Sequence, residues 1–168
     1  MCPAGTMYSI ARTTGKLPRD IEGSNRVVQR VLDIIAYFKP IVATIENPAT
    51  GMLKQQPMMQ HIDSHVLSYC MYGDSGFRKL TQIWHLGRRG LPNFMPKCCA
   101  HTKRCESWCS IAKRHPRTFS SRRGIQGEIV TVPKAERYRL PQQLVEELLE
   151  EAAKEVVQYR DDISMLHA

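Results

Sequence analysis

The chain has 168 residues and 19.2 kDa, the size of one ordinary domain, and its 42% hydrophobic content is enough to bury a core and exclude compositional disorder. Twenty-four Lys+Arg against sixteen Asp+Glu give a formal charge of +8. There is no apolar run of the roughly 18 residues a spanning helix needs, and MCPAGTMYSIAR has neither a basic leader nor an apolar stretch of signal-peptide length. An intracellular protein with no membrane partner is expected, its six cysteines serving as thiols or metal ligands rather than a disulfide framework.

Residues 19–39 read as a helix, with Val27, Val28, Val31, Leu32, Ile34, Ile35 and Phe38 at helical spacing. Pro18 and Asp20 suit its start and Pro40 its stop. The apolar run 41–45 predicts a strand buried on both faces, and Glu46-Asn47-Pro48 places an acid and an amide at its C-terminal end. Ligand sites of open α/β sheets lie at such ends. Two more strands are predicted over 66–72 and 80–86, divided by a Gly73-Asp74-Ser75-Gly76 turn, and a short one over 128–132. Pro141 opens a last helix whose apolar face is Leu144, Val145, Leu148, Leu149, Ala152, Ala153, Val156 and Val157, with Glu146, Glu147, Glu150 and Glu151 outward. This order fits half of a doubly wound α/β domain.

Charge divides the chain into three. Residues 1–87 are mildly basic, 88–139 hold thirteen Lys/Arg against three Asp/Glu, and 140–168 hold two against seven. The reading is an α/β body, a basic Cys/His-containing segment and an acidic tail helix. The basic density suits a polyanion, with Arg88, Arg89, Arg122 and Arg123 as candidate nucleic-acid contacts. The alternative is a solvated surface balanced by the tail.

Several local patterns carry a resemblance. They are Thr6-Met7-Tyr8-Ser9-Ile10-Ala11-Arg12-Thr13-Thr14, Pro18-Arg19-Asp20, Ile45-Glu46-Asn47-Pro48-Ala49-Thr50-Gly51, Tyr69-Cys70-Met71-Tyr72-Gly73 and Arg78-Lys79-Leu80-Thr81-Gln82-Ile83-Trp84. In this order the sequence resembles the compact DNA cytosine-5 methyltransferase-like proteins of phage and algal type. The resemblance covers about residues 3–86 and weakens beyond. It implies the C-terminal part of a Rossmann-like methyltransferase sheet, S-adenosylmethionine as cofactor and DNA as partner. In such chemistry a cysteine thiolate adds to the cytosine ring, a glutamate hydrogen-bonds a ring nitrogen, and the base is extruded from the duplex.

Carried over by position, Glu46 matches the base-binding glutamate, with Asn47, Pro48, Arg12, Arg78 and Lys79 as further substrate contacts. The alternative for Glu46 is a loop-capping carboxylate, and for Arg78 and Lys79 a charged strand edge. The nucleophile position of the family's Pro-Pro-Cys-Thr loop is Gly5, in Pro3-Ala4-Gly5-Thr6, with Cys2 as the nearest thiol. Gln82 stands where relatives tend to carry arginine. No G-x-G loop occurs in the sequence, and the family's cofactor loop precedes the nucleophile loop. The resemblance therefore implies an N-terminally truncated form, inactive alone, whose cofactor-binding half a second chain could supply. The alternative is a non-catalytic remnant that binds nucleic acid or serves a structural role.

In the basic segment, Cys98, Cys99, His101, Cys105, Cys109 and His115 fall within eighteen residues. Such soft donors suit a tetrahedral Zn²⁺, expected on Cys99, Cys105, Cys109 and His115. The alternative is a set of free thiols in a basic loop. A zinc deaminase is excluded, because the His-x-Glu and Pro-Cys-x-x-Cys pairing is missing.

Overall fold

The structure is a computed structural model that describes residues 5–8, 18–73, 76–99, 105, 108, 115–118 and 130–166. A short helix α1 (Gly5–Tyr8) precedes α2 (Ile21–Phe38). Asp20 caps α2, its carboxylate accepting from the Gly23 amide at 2.7 Å, and Lys39 ends it in the left-handed conformation just before Pro40. Strands β1 (Ala43–Pro48), β2 (Ser64–Ser68) and β3 (Leu80–Leu86) form a sheet in the order β1-β3-β2. Three 3-10 turns (Leu53–Gln55, Pro57–Met59, Tyr69–Met71) lie between them. Beyond it, β4 (Arg117–Thr118) pairs in parallel with β5 (Val130–Thr131), followed by α3 (Lys134–Arg137) and α4 (Gln142–Leu166).

Both β1 and β2 pair antiparallel with β3, so they run parallel to each other with β3 between them. The C-terminal ends of β1 and β2 therefore meet at the N-terminal end of β3. Pro48 lies opposite Thr81, and Ser68 opposite Leu80. Successive residues of a strand face opposite sides, so Trp84 and Ile83 enter two different cores. Trp84 packs with Ile45, Tyr8, Val28, Val31, Leu53 and Met59 beneath α2. Ile83 packs with Leu67, Tyr69, Tyr72, Phe77, Leu91 and Phe94, together with Val132 and Leu144. This second core joins residues from all three segments that charge separates in the sequence.

The strand predicted over 41–45 starts at Ala43 and runs to Pro48, and its burial alternates. Ile45 and Asn47 are buried, while their neighbours on the other face are half-buried, which corrects the expectation of burial on both faces. The strand predicted over 66–72 is displaced to Ser64–Ser68, because Tyr69–Met71 coil into a 3-10 turn. On α2 the stripe Val28, Val31, Leu32 and Ile35 faces the core, whereas Val27, Ile34 and Phe38 are exposed. No helix among the described residues is long and apolar enough to cross a membrane.

The apolar face assigned to α4 is only partly used. Leu144, Leu148 and Ala152 pack on the second core, while Leu149, Val156 and Val157 are exposed. The docking stripe continues with polar residues over the next three turns. Glu155 is buried and accepts from Arg89 Nε at 2.7 Å, and Asp162 accepts from Arg89 Nη1 at 2.6 Å. Arg88 donates to the Lys39 carbonyl at 3.0 Å and to the Tyr159 hydroxyl. These two arginines stand just past Gly87, whose φ of +97° and 2.7 Å clearance between an added Cβ and the Pro40 carbonyl admit only glycine.

Trp84 is 1% exposed, so Trp84→Ala should cost about 3–5 kcal/mol of unfolding free energy in a urea titration. Phe38→Ala, at a position 72% exposed, should stay within about 0.5 kcal/mol.

Candidate functional site

The meeting of the three strand ends assembles a polar group around Glu46. Tyr69 follows β2 and Lys79 precedes β3, and the Tyr69 amide donates to the Lys79 carbonyl at 3.1 Å. Lys79 Nζ donates to the Tyr69 hydroxyl at 3.0 Å, and that hydroxyl donates to Glu46 Oε1 at 3.1 Å. Lys79 Nζ also reaches Glu46 Oε1 at 3.4 Å and stands 4.4 Å over the Tyr69 ring. The Lys79 and Glu46 side chains are each 13% exposed. A carboxylate held this way has a fixed orientation at a strand end and a cation beside it to balance its charge. It suits recognition of a planar group that presents N–H donors.

Asn47 faces the opposite side. It is completely buried, and neither its Oδ1 nor its Nδ2 has a hydrogen-bond partner among the described residues. The turn after β1 approaches it closely, an added Cβ at Gly51 lying 3.1 Å from Asn47 Oδ1. The same turn receives α1, with the Met52 amide donating to the Tyr8 carbonyl at 2.8 Å. The Tyr8 hydroxyl in turn donates to Asn25 Oδ1 at 2.8 Å. Two patterns more than thirty residues apart in the sequence, the one that begins Thr6-Met7-Tyr8 and the Glu46-Asn47-Pro48 run, are thus joined through Tyr8 and Met52. Gln82 pairs with Asn47 in the ladder and donates to Ser64 Oγ at 2.8 Å.

A second cluster lies on the far side of the Tyr69–Met71 turn. The ligand atoms of Cys70, Cys99, Cys105 and His115 all lie within 4.8 Å of one another. His115 Nε2 is 3.1 Å from Cys105 Sγ and 3.8 Å from Cys99 Sγ. Burial, then the neighbouring Cys105 and Cys99, pushes the Cys70 thiol pKa far up. Burial and the Arg78 charge hold the His115 pKa below its usual value.

With this geometry in place, one comparison is informative. The chain is 31% identical over 130 residues to a probable DNA (cytosine-5)-methyltransferase of Frog virus 3 (isolate Goorha), a match covering 74% of this chain and 56% of the relative. The match supports a methyltransferase-like family for this chain. The chain spans little more than half the length of that relative. No protein-family model and no solved structure matches it.

The structure brings together only some of the residues that the methyltransferase-like pattern nominates. Glu46 and Lys79 are in contact, but adjacent Arg78 acts on His115 instead. Gly5 opens α1, and Pro48 closes β1. Arg88 and Arg89 are engaged by α4. Cys2, Arg12, Cys109, Arg122 and Arg123 lie outside the described residues. Two residues that sequence reasoning left without a role are Tyr69 and Cys70. Both sit in the Tyr69-Cys70-Met71-Tyr72-Gly73 pattern, and only the 3-10 turn shows that they face two different sites.

A cleft of about 410 Å³ beside β3 is lined by Asp63, His65, His85 and Arg89, among others. The His65 and His85 rings are 4.9 Å apart, and neither ring nitrogen of His85 has a partner among the described residues. Burial, then the charge of His65, lowers the His85 pKa to about 4 against the opposing pull of Asp63. The unfolded chain takes up this proton near pH 6.5, whereas the folded chain resists it until about pH 4. Stability should therefore fall as pH drops through this window, and His85→Gln should make the slope of melting temperature against pH shallower between about pH 5 and 6.5.

Proposed function

We propose that this chain carries the cytosine-recognising part of a DNA cytosine-5 methyltransferase, with DNA as substrate and S-adenosylmethionine as the family's methyl donor. The observation that carries the reading is Glu46, fixed at the end of β1 by Tyr69 and Lys79. A carboxylate held there can accept from the exocyclic amino group of an extruded cytosine, and in its protonated form it can donate to the adjacent ring nitrogen, stabilising charge as it develops on the base. Lys79 balances the charge of the carboxylate, and Tyr69 sets its orientation. In fold terms, two parallel strands with an antiparallel one between them form the kind of mixed edge that open α/β sheets carry. This supports a reading as the C-terminal part of a Rossmann-like sheet.

The described residues do not fit S-adenosylmethionine. No glycine-rich turn leads from one of their strand ends into a helix N-terminus, the arrangement that would cradle such a cofactor. The reading accordingly assigns base recognition to these residues and no step of donor binding. Among the described residues β1 pairs with β3 alone, so donor-binding strands, of this polypeptide or of a second chain, would add at its other edge. Gly5 at the matched nucleophile position offers no thiolate, and carbon 5 stays unreactive until a nucleophile adds to the ring. The 168 residues alone are proposed to be inactive in methyl transfer.

A second reading, a non-catalytic nucleic-acid-binding remnant, is favoured by the same Gly5 and by the thirteen Lys/Arg of residues 88–139. With Arg88 and Arg89 held by α4, its phosphate contacts would fall on Lys103, Arg104, Lys113, Arg114, Arg122 and Arg123.

Fluorescence anisotropy separates the two. On the base-recognition reading, the chain binds duplex DNA with a mismatched cytosine more tightly than fully paired duplex, because extrusion is easier there. Glu46→Gln should reduce that preference about tenfold or more while leaving the salt-dependent background unchanged. Equal affinity for both duplexes would leave only the remnant reading. No covalent complex should form with DNA bearing a mechanism-trapping cytosine analogue. An adduct lost on Cys2→Ser would make Cys2 the nucleophile and refute the assignment to Gly5.

A further inference from the structure

The Cys/His cluster stands apart from base recognition and draws on three stretches of chain. Cys70 comes from the 3-10 turn after β2. Cys99 comes from a strand-like stretch beside β2, where the Ser68 amide donates to the Lys97 carbonyl at 3.0 Å and the Cys99 amide donates to Ser68 Oγ at 3.0 Å. Cys105 and His115 come from the basic segment. Among the described residues between 95 and 131, Cys99 and His115 are the only buried ones. Among the described residues of this stretch, what is buried thus belongs to the cluster.

The donors suit one ion. Zn–S bonds of about 2.3 Å and Zn–N bonds of about 2.0 Å in a tetrahedron put three sulfurs and one nitrogen about 3.5–3.8 Å apart. The cluster already lies within 4.8 Å, with His115 Nε2 at 3.1 and 3.8 Å from two sulfurs. His115 is 6% exposed and aims this nitrogen at sulfur. Three thiolates and a neutral imidazole on Zn²⁺ leave a net charge of −1. Arg78 is placed to offset it, acting on His115 and carrying a buried Nε with no hydrogen-bond partner among the described residues. Trp108 closes over the His115 ring edge-to-face, at 5.5 Å between centroids.

We propose that Cys70, Cys99, Cys105 and His115 form a structural Zn²⁺ site that fastens the basic segment to the turn carrying Tyr69. On binding, each of the three thiols releases its proton to solvent as its sulfur–zinc bond forms, and His115 contributes the Nε2 lone pair. All four positions are filled by protein, so the site is closed, as structural zinc sites are. It shares a 3-10 turn with the residue that orients Glu46, which couples the order of the basic segment to that of the carboxylate. The fourth ligand differs from the sequence-based expectation, with Cys70 taking the place given to Cys109.

The test is metal content of the full chain, purified under reducing conditions without chelator. Atomic emission should find one zinc per chain. Cys70→Ser, Cys99→Ser, Cys105→Ser and His115→Gln should each lose most of it, while Cys98→Ser, at the exposed neighbouring thiol, should keep it. Cys109→Ser should also keep it, and loss of zinc there with retention in Cys70→Ser would overturn the ligand set. Because ligand variants can misfold, the wild-type chain is also stripped and titrated with Co²⁺. One equivalent should produce the intense visible bands and near-ultraviolet thiolate charge transfer of a tetrahedral site. Absence of both zinc and these bands, or a disulfide between two of the three cysteines in the reduced preparation, would refute the site.

Discussion

The structure depends on β3 serving two cores at once. Trp84 and Ile83 are neighbours in the chain, and the pleat sends one under α2 and the other toward Tyr72, Phe94 and Leu144. A one-residue slip of β3 would exchange these side chains between faces and bury His85 or Gln82 where an apolar residue now sits. Register is therefore held from both sides, by Ile45 opposite Trp84 and by Leu67 opposite Thr81. The polar group around Glu46 inherits its position from this register, since each of its members lies within a residue or two of a strand end.

That arrangement explains why so polar a group can be half enclosed. Glu46, Tyr69 and Lys79 satisfy one another through a short chain of hydrogen bonds, with the ammonium also lying over the tyrosine ring. Asn47 shows the reverse condition, a fully buried amide with no partner among the described residues. One strand end thus presents a satisfied acid on one face and an unsatisfied amide on the other. The turn through Gly51 and Met52 ties α1 against the second of these.

Charge is used differently from what its density along the chain suggests. The acidic tail helix is not a separate appendage, because Arg89 bridges Glu155 and Asp162, and Lys97 reaches Glu147. Arg117 likewise forms a forked pair with Glu136. Part of the +10 carried by residues 88–139 is therefore spent within the fold. The apolar residues that α4 leaves exposed follow from the same geometry, because the polar stripe at 155, 159 and 162 determines which face turns inward.

Some of this was determined by the sequence alone. The span and caps of α2, the strand at Leu80–Leu86, the helix opened by Pro141 and the acid at the end of β1 all follow from local rules of periodicity, capping and turn chemistry. So did the methyltransferase-like relationship, which rests on runs of adjacent residues. Tertiary structure decided what depends on distance across the chain. It chose Tyr69 as the partner of Glu46, set Arg78 and Lys79 on different clusters, and brought Cys70 to three donors at least 29 residues further on. No spacing rule reaches these, because the contacts are made by strands that are neighbours only after β3 has inserted between β1 and β2. The alternation of β1 was hidden for the same reason. A short apolar run reads alike whether one face or both will be covered, and only the finished sheet determines which.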